Sequence, residues 1–383
     1  MKLKKLFNYF FKSEKAGGLI LLIGTFISIA LSNSSLSNKY LSIWHHSIGN
    51  HTIEYWINDG LMTIFFLLIG LELKREVCIG ELSNIKEATL PIIGAIGGMV
   101  VPGLLYISLN LGTKTHSGFG IPMATDIAFA IGILSLLGNK VPLSLKVFLT
   151  ALAVIDDIGA IVIIAVFYTK TIYFTNLLIS LSIFGVLILI RKLKVKTLFW
   201  YLIGGFFMWY FMLHSGVHAT ITGILLAFAI PFGDGTENTH SYKLQKWIHK
   251  PVAFLIIPIF VLNNTAIIIG KDWLSSLSET YSLGIIIGLC IGKPLGILSF
   301  IFLAVKLKLT KLPKEFKWSQ LIGLGFLGGI GFTMSIFITL LAFDDNQIIN
   351  NSKFMILIAS FFSGGIGFIW LKISNSSKKD LDY

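Results

Sequence analysis

The chain has 383 residues, 55% of them apolar and 13% charged, where an ordinary soluble domain is about 25% charged. With 31 phenylalanines and a mean hydropathy of +0.81 it carries more apolar surface than a globule of this size can hide, which excludes soluble and disordered classes. Its 31 Lys and Arg against 19 Asp and Glu leave a net charge of +12, a balance that in a soluble protein points to nucleic acid.

The first 15 residues, MKLKKLFNYFFKSEK, are basic and aromatic, and the apolar run after them begins near Gly17 with no small-residue cleavage signal. This predicts an interfacial segment over 1–16 lying on the lipid surface, then an uncleaved first span. A crossing helix needs roughly 20 residues. Apolar runs follow at 17–32, 59–79, 90–110, 118–138, 142–168, 174–191, 197–213, 215–232, 251–270, 281–304, 320–342 and 353–372. The expectation is an all-α polytopic membrane protein of about 12 transmembrane helices, a single domain over 1–383 that ends in a tail at 373–383. Cys78 and Cys290 lie far apart in apolar stretches with no CxxC, so no disulfide or metal framework is expected.

Twelve spans put both termini on one side. With that side inside, 24 of the 31 basic residues fall on inside segments and five (Lys39, Lys114, Lys170, Lys271 and Lys353) on outside loops, leaving Lys146 and Lys293 within spans. So strong a bias places both termini in the cytoplasm. The basic residues follow topology and form no single patch, so no nucleic-acid partner is expected.

Most spans hold no ionisable residue, and the exceptions carry the chemistry. The fourth run holds Asp126 in GFGIPMATDIAFAIG, the fifth the pair Asp156 and Asp157 in LTALAVIDDIGAIVIIA, and the tenth Lys293 in CIGKPLGI. At about 1.5 Å rise per residue all four sit within a turn or so of the bilayer centre, where an isolated charge costs on the order of 3 kcal/mol. Three acids cannot all pair with one base, so the set is expected to line a wet cavity. Adjacent helical residues point about 100° apart. One arrangement sets Asp156 against Lys293, leaving Asp157 and Asp126 to share a small hard cation, with Thr125 adding an oxygen. Desolvation and like charge both favour a protonated carboxyl. Protons and cations then compete for the same oxygens, which is a means of exchange.

The eleventh run reads LIGLGFLGGIGFTMSIFI, and its Gly323, Gly325, Gly328, Gly329 and Gly331 argue against an unbroken helix. In the fourth run Gly118, Gly120 and Pro122 precede Asp126 and predict another interruption. Unwound backbone at membrane depth is tolerated only inside protein or beside water, and matched interruptions mark transporter sites. Spans 3–5 start inside and spans 10–12 outside, so an inverted-topology repeat is expected over 90–169 and 281–373, with helices 4 and 11 broken. Gly323, Gly325 and Gly328 also spell GxGxxG, but that fingerprint needs a preceding strand and a βαβ unit.

At these residues the sequence closely resembles the NhaA family of bacterial sodium/proton antiporters. The matching segments are FFLLIGLELKREV (65–77), IPMATDIAFAIG (121–132), LKVFLTALAVIDDIGAIVIIAVFYT (145–169), SGVHATITGI (215–224), GKPLGI (292–297) and GFLGGIGFTMSIFI (325–338), in family order. The resemblance implies a transporter and not an enzyme. It implies exchange of internal Na⁺ or Li⁺ for external H⁺ across the bacterial inner membrane, without a cofactor, for Na⁺ and pH homeostasis. It places Na⁺ at Asp156 and Asp157, and matches Asp126 and Lys293 to the family's broken-helix acid and span-10 lysine. Glu72, Lys74, Arg75 and Glu76 match a pH-response cluster; His218 matches a histidine of the same response. LQKWIHKP (244–251) departs from the family pattern at the start of span 9, so the resemblance does not carry the pH set-point. VLNNTA (261–266) is unexpectedly polar for a span. The family dimerises through a hairpin in the outer loop 33–58, and TIEYWI (52–57) is the expected strand, which makes a homodimer the expected assembly. His45, His46 and His51 in that loop have only Glu54 beside them, too few ligands for a metal site.

Two other readings compete. A Na⁺-coupled solute symporter could share the inverted-repeat build. An intramembrane aspartyl protease would need a GxGD-type helix, whereas Asp156 and Asp157 follow Val-Ile.

Overall fold

The structure, a computed structural model, describes residues 2–138, 141–169, 171–233, 235–236, 239–270, 273–313 and 315–376. It begins with α1 (Lys2–Ser32), α2 (Ser37–His45), strands β1 (Ser47–Ile48) and β2 (His51–Thr52), α3 (Ile53–Tyr55) and α4 (Met62–Ile79). Next come α5 (Ile85–Asn110), α6 (Ile127–Leu136), α7 (Leu143–Phe167), α8 (Phe174–Lys192), α9 (Leu198–Leu213) and α10 (Ile221–Ala229). The remainder is α11 (His240–Pro251), α12 (Ile257–Asn264), α13 (Trp273–Ser276) and α14 (Thr280–Ile287), then α15 (Lys293–Lys306), α16 (Trp318–Gly328), α17 (Phe332–Ala342) and α18 (Asn346–Ser376). π-Helical stretches at Trp56–Leu61, Val252–Ile256 and Gly288–Gly292 lead into α4, α12 and α15, and a 3-10 stretch, His116–Met123, precedes the turn into α6.

This is the all-α membrane architecture expected. Among the described residues eight helices are long and apolar enough to cross a membrane, or up to ten if each of two bent pairs is one span. The expected count of about twelve is not fully met by helix length: at the seventh and eighth runs α9 has 16 residues and α10 nine. Gly216 (φ +83°) turns the chain between them, and α10 stops at Ile230 ahead of Pro231. The interfacial segment and the first span, expected as two pieces, form one helix, α1. The expected tail lies outside the described residues from 377 onward.

Two compact units form, one from Met1–Leu36, Asn84–Ala160 and Asn264–Tyr383, the other from Ser37–Ser83 and Ile161–Asn263. The first holds both interrupted spans. Within it α5 meets α15 backbone to backbone, since a Cβ added to Gly97 or Gly296 would strike the other's carbonyl oxygen. Lipid supplies no hydrophobic drive between helices, so such small-residue contacts hold them together. Similar contacts seat α16, where Gly323 lies against Leu371 and Gly325 against Pro294. These glycines therefore stay helical, and GxGxxG is a packing face of α16. The break expected in this run falls at Gly329–Gly331, with a bend of 44° between α16 and α17. The fourth span leaves the α-helix ahead of Asp126. Gly118, Gly120 and Pro122 sit in the 3-10 stretch, and the extended residues are Ala124–Asp126 (φ −78°, ψ 150° at Ala124; φ −85°, ψ 98° at Asp126).

Lys353, expected in an outer loop, lies inside α18 and is buried, its Nζ donating to Asn264 Oδ1 at 3.1 Å. Part of the polarity of VLNNTA is thereby explained, because Asn264 closes α12 and receives a charged donor there. In the second unit the strand expected over 52–57 is also corrected. β2 is only His51–Thr52, paired antiparallel with β1 (Ser47↔Thr52, Ile48↔His51). Thr52 accepts from Tyr55 N and caps a helical turn, so the chain from Ile53 onward coils.

Candidate functional site

The site lies in the first unit and begins with the break at MATD. Aspartate is a favoured N-cap, and Asp126 caps α6, its Oδ1 accepting from Phe129 N at 3.0 Å. Its Oδ2 accepts from Thr333 N at 3.0 Å and from Thr333 Oγ1 at 2.5 Å, at the first turn of α17. Asp126 N in turn donates to Ile330 O at 2.6 Å. The two breaks thus face each other, and one carboxylate serves the positive ends of two helices. Replacing Thr333 by valine removes one of these donors and keeps the backbone one. We predict a loss of about 1–2 kcal/mol of stability, read as a lower melting midpoint in detergent, with Thr333→Ser close to wild type.

Asp156 is 1% exposed on α7. Its Oδ2 accepts from Lys293 Nζ at 2.5 Å and from Thr125 Oγ1 at 2.6 Å. Lys293 is wholly buried and also donates to Met123 O at the end of the 3-10 stretch. Gly98 packs beside it, where a Cβ would strike Ile297 Cγ1 at 2.8 Å and meet the Lys293 Cε at an ordinary contact distance of 3.6 Å. The π-helical turn at Gly288–Gly292 sets the start of α15, so that Lys293 opens the helix with Pro294 behind it. Such turns mark sites where a helix is locally re-aimed.

Thr125 Oγ1 stands 2.6 Å from Asp156 Oδ2 and 2.7 Å from Gly328 O, and its one proton serves one of these acceptors at a time. Asp156 Oδ1, by contrast, accepts no hydrogen bond from the described residues. Asp157, 2% exposed, follows on the same helix. The geometry therefore brings together Thr125, Asp156 and Lys293, with Asp126 at the crossing of the breaks. Asp126 spends both oxygens on helix-end donors, so sharing a cation with Asp157 would require it to release them.

The pH-response candidates lie in the second unit. Glu72 hydrogen-bonds Gln245, and Arg75 covers the Tyr242 ring at 4.9 Å. Lys74 turns away into α10. His218 Nδ1 lies 3.7 Å from Asp59 Oδ1. Glu76, also on α4, is half-buried.

Sequence reasoning missed Thr333 and Asp59. A hydroxyl one turn past the glycine break, mirroring Thr125 beside Asp126, was the available signal for Thr333. Asp59 precedes an apolar run and reads as an ordinary helix start.

A family model described as Na+/H+ antiporter 1 matches residues 8–371. The Na(+)/H(+) antiporter NhaA of Flavobacterium psychrophilum is 63% identical over 372 residues, covering 97% of both chains. The Na(+)/H(+) antiporter NhaA 1 of Flavobacterium johnsoniae is 60% identical over 380 residues, covering 99% of this chain and all of its own (100%). The solved sodium proton antiporter MjNhaP1 from Methanocaldococcus jannaschii shares the fold with a TM-score of 0.54 over 98% of this chain and 99% of its own, at 14% identity. Together with the geometry of the crossed breaks, these matches place the chain in the Na+/H+ antiporter 1 family.

Proposed function

We propose that this chain is a secondary active transporter of the bacterial cytoplasmic membrane. It exchanges internal Na⁺ or Li⁺ for external H⁺ and sustains Na⁺ and pH homeostasis. The observation that carries the proposal is a trio of buried acids against one buried base where two interrupted helices cross. A buried carboxylate oxygen is costly unless something positive meets it. Asp156 Oδ1 and the neighbouring Asp157 are the oxygens we assign to the cargo, with Thr125 able to add a hydroxyl oxygen once its proton turns to Gly328 O.

Exchange follows from occupancy. Na⁺ and H⁺ cannot hold the same carboxylate oxygens together, so each enters as the other leaves, and alternate exposure of the site to the two sides couples their flows. If two protons move against one Na⁺, net charge moves inward and a negative-inside potential drives Na⁺ out. Both termini face the cytoplasm in this reading, which is supported by the large excess of basic residues on the segments assigned inside. The β1–β2 hairpin of loop 33–58 is the dimer contact we propose, and Glu72, Lys74, Arg75, Glu76 and His218 are the inherited candidates for pH response.

The test is exchange in everted vesicles across pH 6 to 9 with Na⁺, Li⁺ and K⁺. Na⁺ and Li⁺ should release protons and K⁺ should not, with the half-saturating Na⁺ concentration falling as pH rises. Solute uptake that depends on Na⁺, in place of proton release, would move the chain to the symporters.

A further inference from the structure

The last four carbonyls of a helix have no donor within it, and lipid offers none. The nine-residue α10 ends at such a point, and its carbonyls are met from other helices. Lys74 Nζ, on α4, donates to Ala227 O at 3.1 Å, to Phe228 O at 3.1 Å and to Ile230 O. Arg191 Nη1, at the end of α8, donates to Phe228 O at 2.7 Å. An ammonium has three N–H groups, and here all three are used. Lys74 is 6% exposed, and its charge sits where the helix end is partially negative. Close glycine contacts guide it there. A Cβ on Gly70 of α4 would strike Ala227, and one on Gly223 of α10 would strike the backbone at Thr63 and Leu67. Its neighbour Arg75 instead covers Tyr242, and Glu72 holds Gln245, both on α11.

We propose that the carbonyls of Ala227, Phe228 and Ile230 form a site for a primary ammonium. Lys74 fills it from α4, which makes Lys74 a positioning residue for α10 and withdraws it from the pH-response candidates named above, leaving Glu72, Arg75, Glu76 and His218. A bare carbonyl cage left by truncating Lys74 should then accept a small free amine. This inference stands apart from the antiport reading, since its main readout is stability.

The experiment takes the purified full chain in detergent and compares melting midpoints of wild type, Lys74→Ala and Lys74→Arg. Each is measured with methylammonium chloride or with tetramethylammonium chloride, which carries the same charge and no N–H. Lys74→Ala should melt on the order of 5 °C lower, methylammonium should restore most of that loss, and tetramethylammonium should restore none. Lys74→Arg should keep most of the stability and an unchanged pH profile of exchange. An unchanged midpoint in Lys74→Ala, or a loss that methylammonium does not restore better than tetramethylammonium, overturns the proposal. So does a shifted pH profile in a fully stable Lys74→Arg, which would return Lys74 to the pH-response set. Should Lys74→Ala fail to fold, Lys74→Gln, which keeps two N–H donors, is measured in its place with the same readings.

Discussion

Asp157→Asn is expected to abolish Na⁺-dependent proton release in everted vesicles. Asparagine keeps the volume and one oxygen, so α7 should fold unchanged, with Asp157 only 2% exposed in a packed helix. What it removes is charge. A hard cation in a low-dielectric site depends on anionic oxygen, and losing one such ligand at a cost of about 3 kcal/mol weakens binding roughly 100-fold. The site also loses a carboxyl that could carry a proton, so both halves of the exchange fail. Wild-type exchange in a folded Asp157→Asn would mean that the cargo is held elsewhere in the first unit.

The second large effect is expected from Lys293→Ala. Lys293 and Asp156 are both buried and 2.5 Å apart, and Lys293 also donates to Met123 O beside the broken fourth span. Removing one partner of a buried ion pair costs about 3–5 kcal/mol, because the remaining charge is left without compensation. The melting midpoint in detergent should drop clearly, whereas Lys293→Arg, which keeps the charge, should lose less. A Lys293→Ala protein as stable as wild type would show that the pair does not hold α7 to α15.

Much of the site was legible in the sequence because the membrane makes charge rare. Four ionisable groups in spans otherwise free of them stand out whatever the helices do locally, and the 100° between Asp156 and Asp157 makes a pairing of Asp156 with Lys293 one available arrangement. The places where the chain leaves the α-helix were less legible. Glycine is both a helix breaker and a packing surface, and composition cannot tell Gly325, set against Pro294, from Gly329, which ends α16. Hydropathy likewise reads 215–232 as one run, of which nine residues form α10, after the turns at 214–220. Lys353 reads as an outer-loop residue because it stands at the very start of the last apolar run, and its burial shows in its contact with Asn264. Thr333 shows the same limit. A threonine in an apolar run matters once the opposite break is known to bring a carboxylate within 2.5 Å of it.

The central claim is that Na⁺ and H⁺ compete for one set of oxygens at Asp156 and Asp157. It is tested most directly by adding NaCl to the purified protein in weakly buffered detergent solution near pH 8 and recording bulk pH. The account predicts that NaCl acidifies the solution, that choline chloride does not, and that the acidification disappears in Asp157→Asn. Saturable Na⁺ binding to the wild-type protein with no proton released would contradict it.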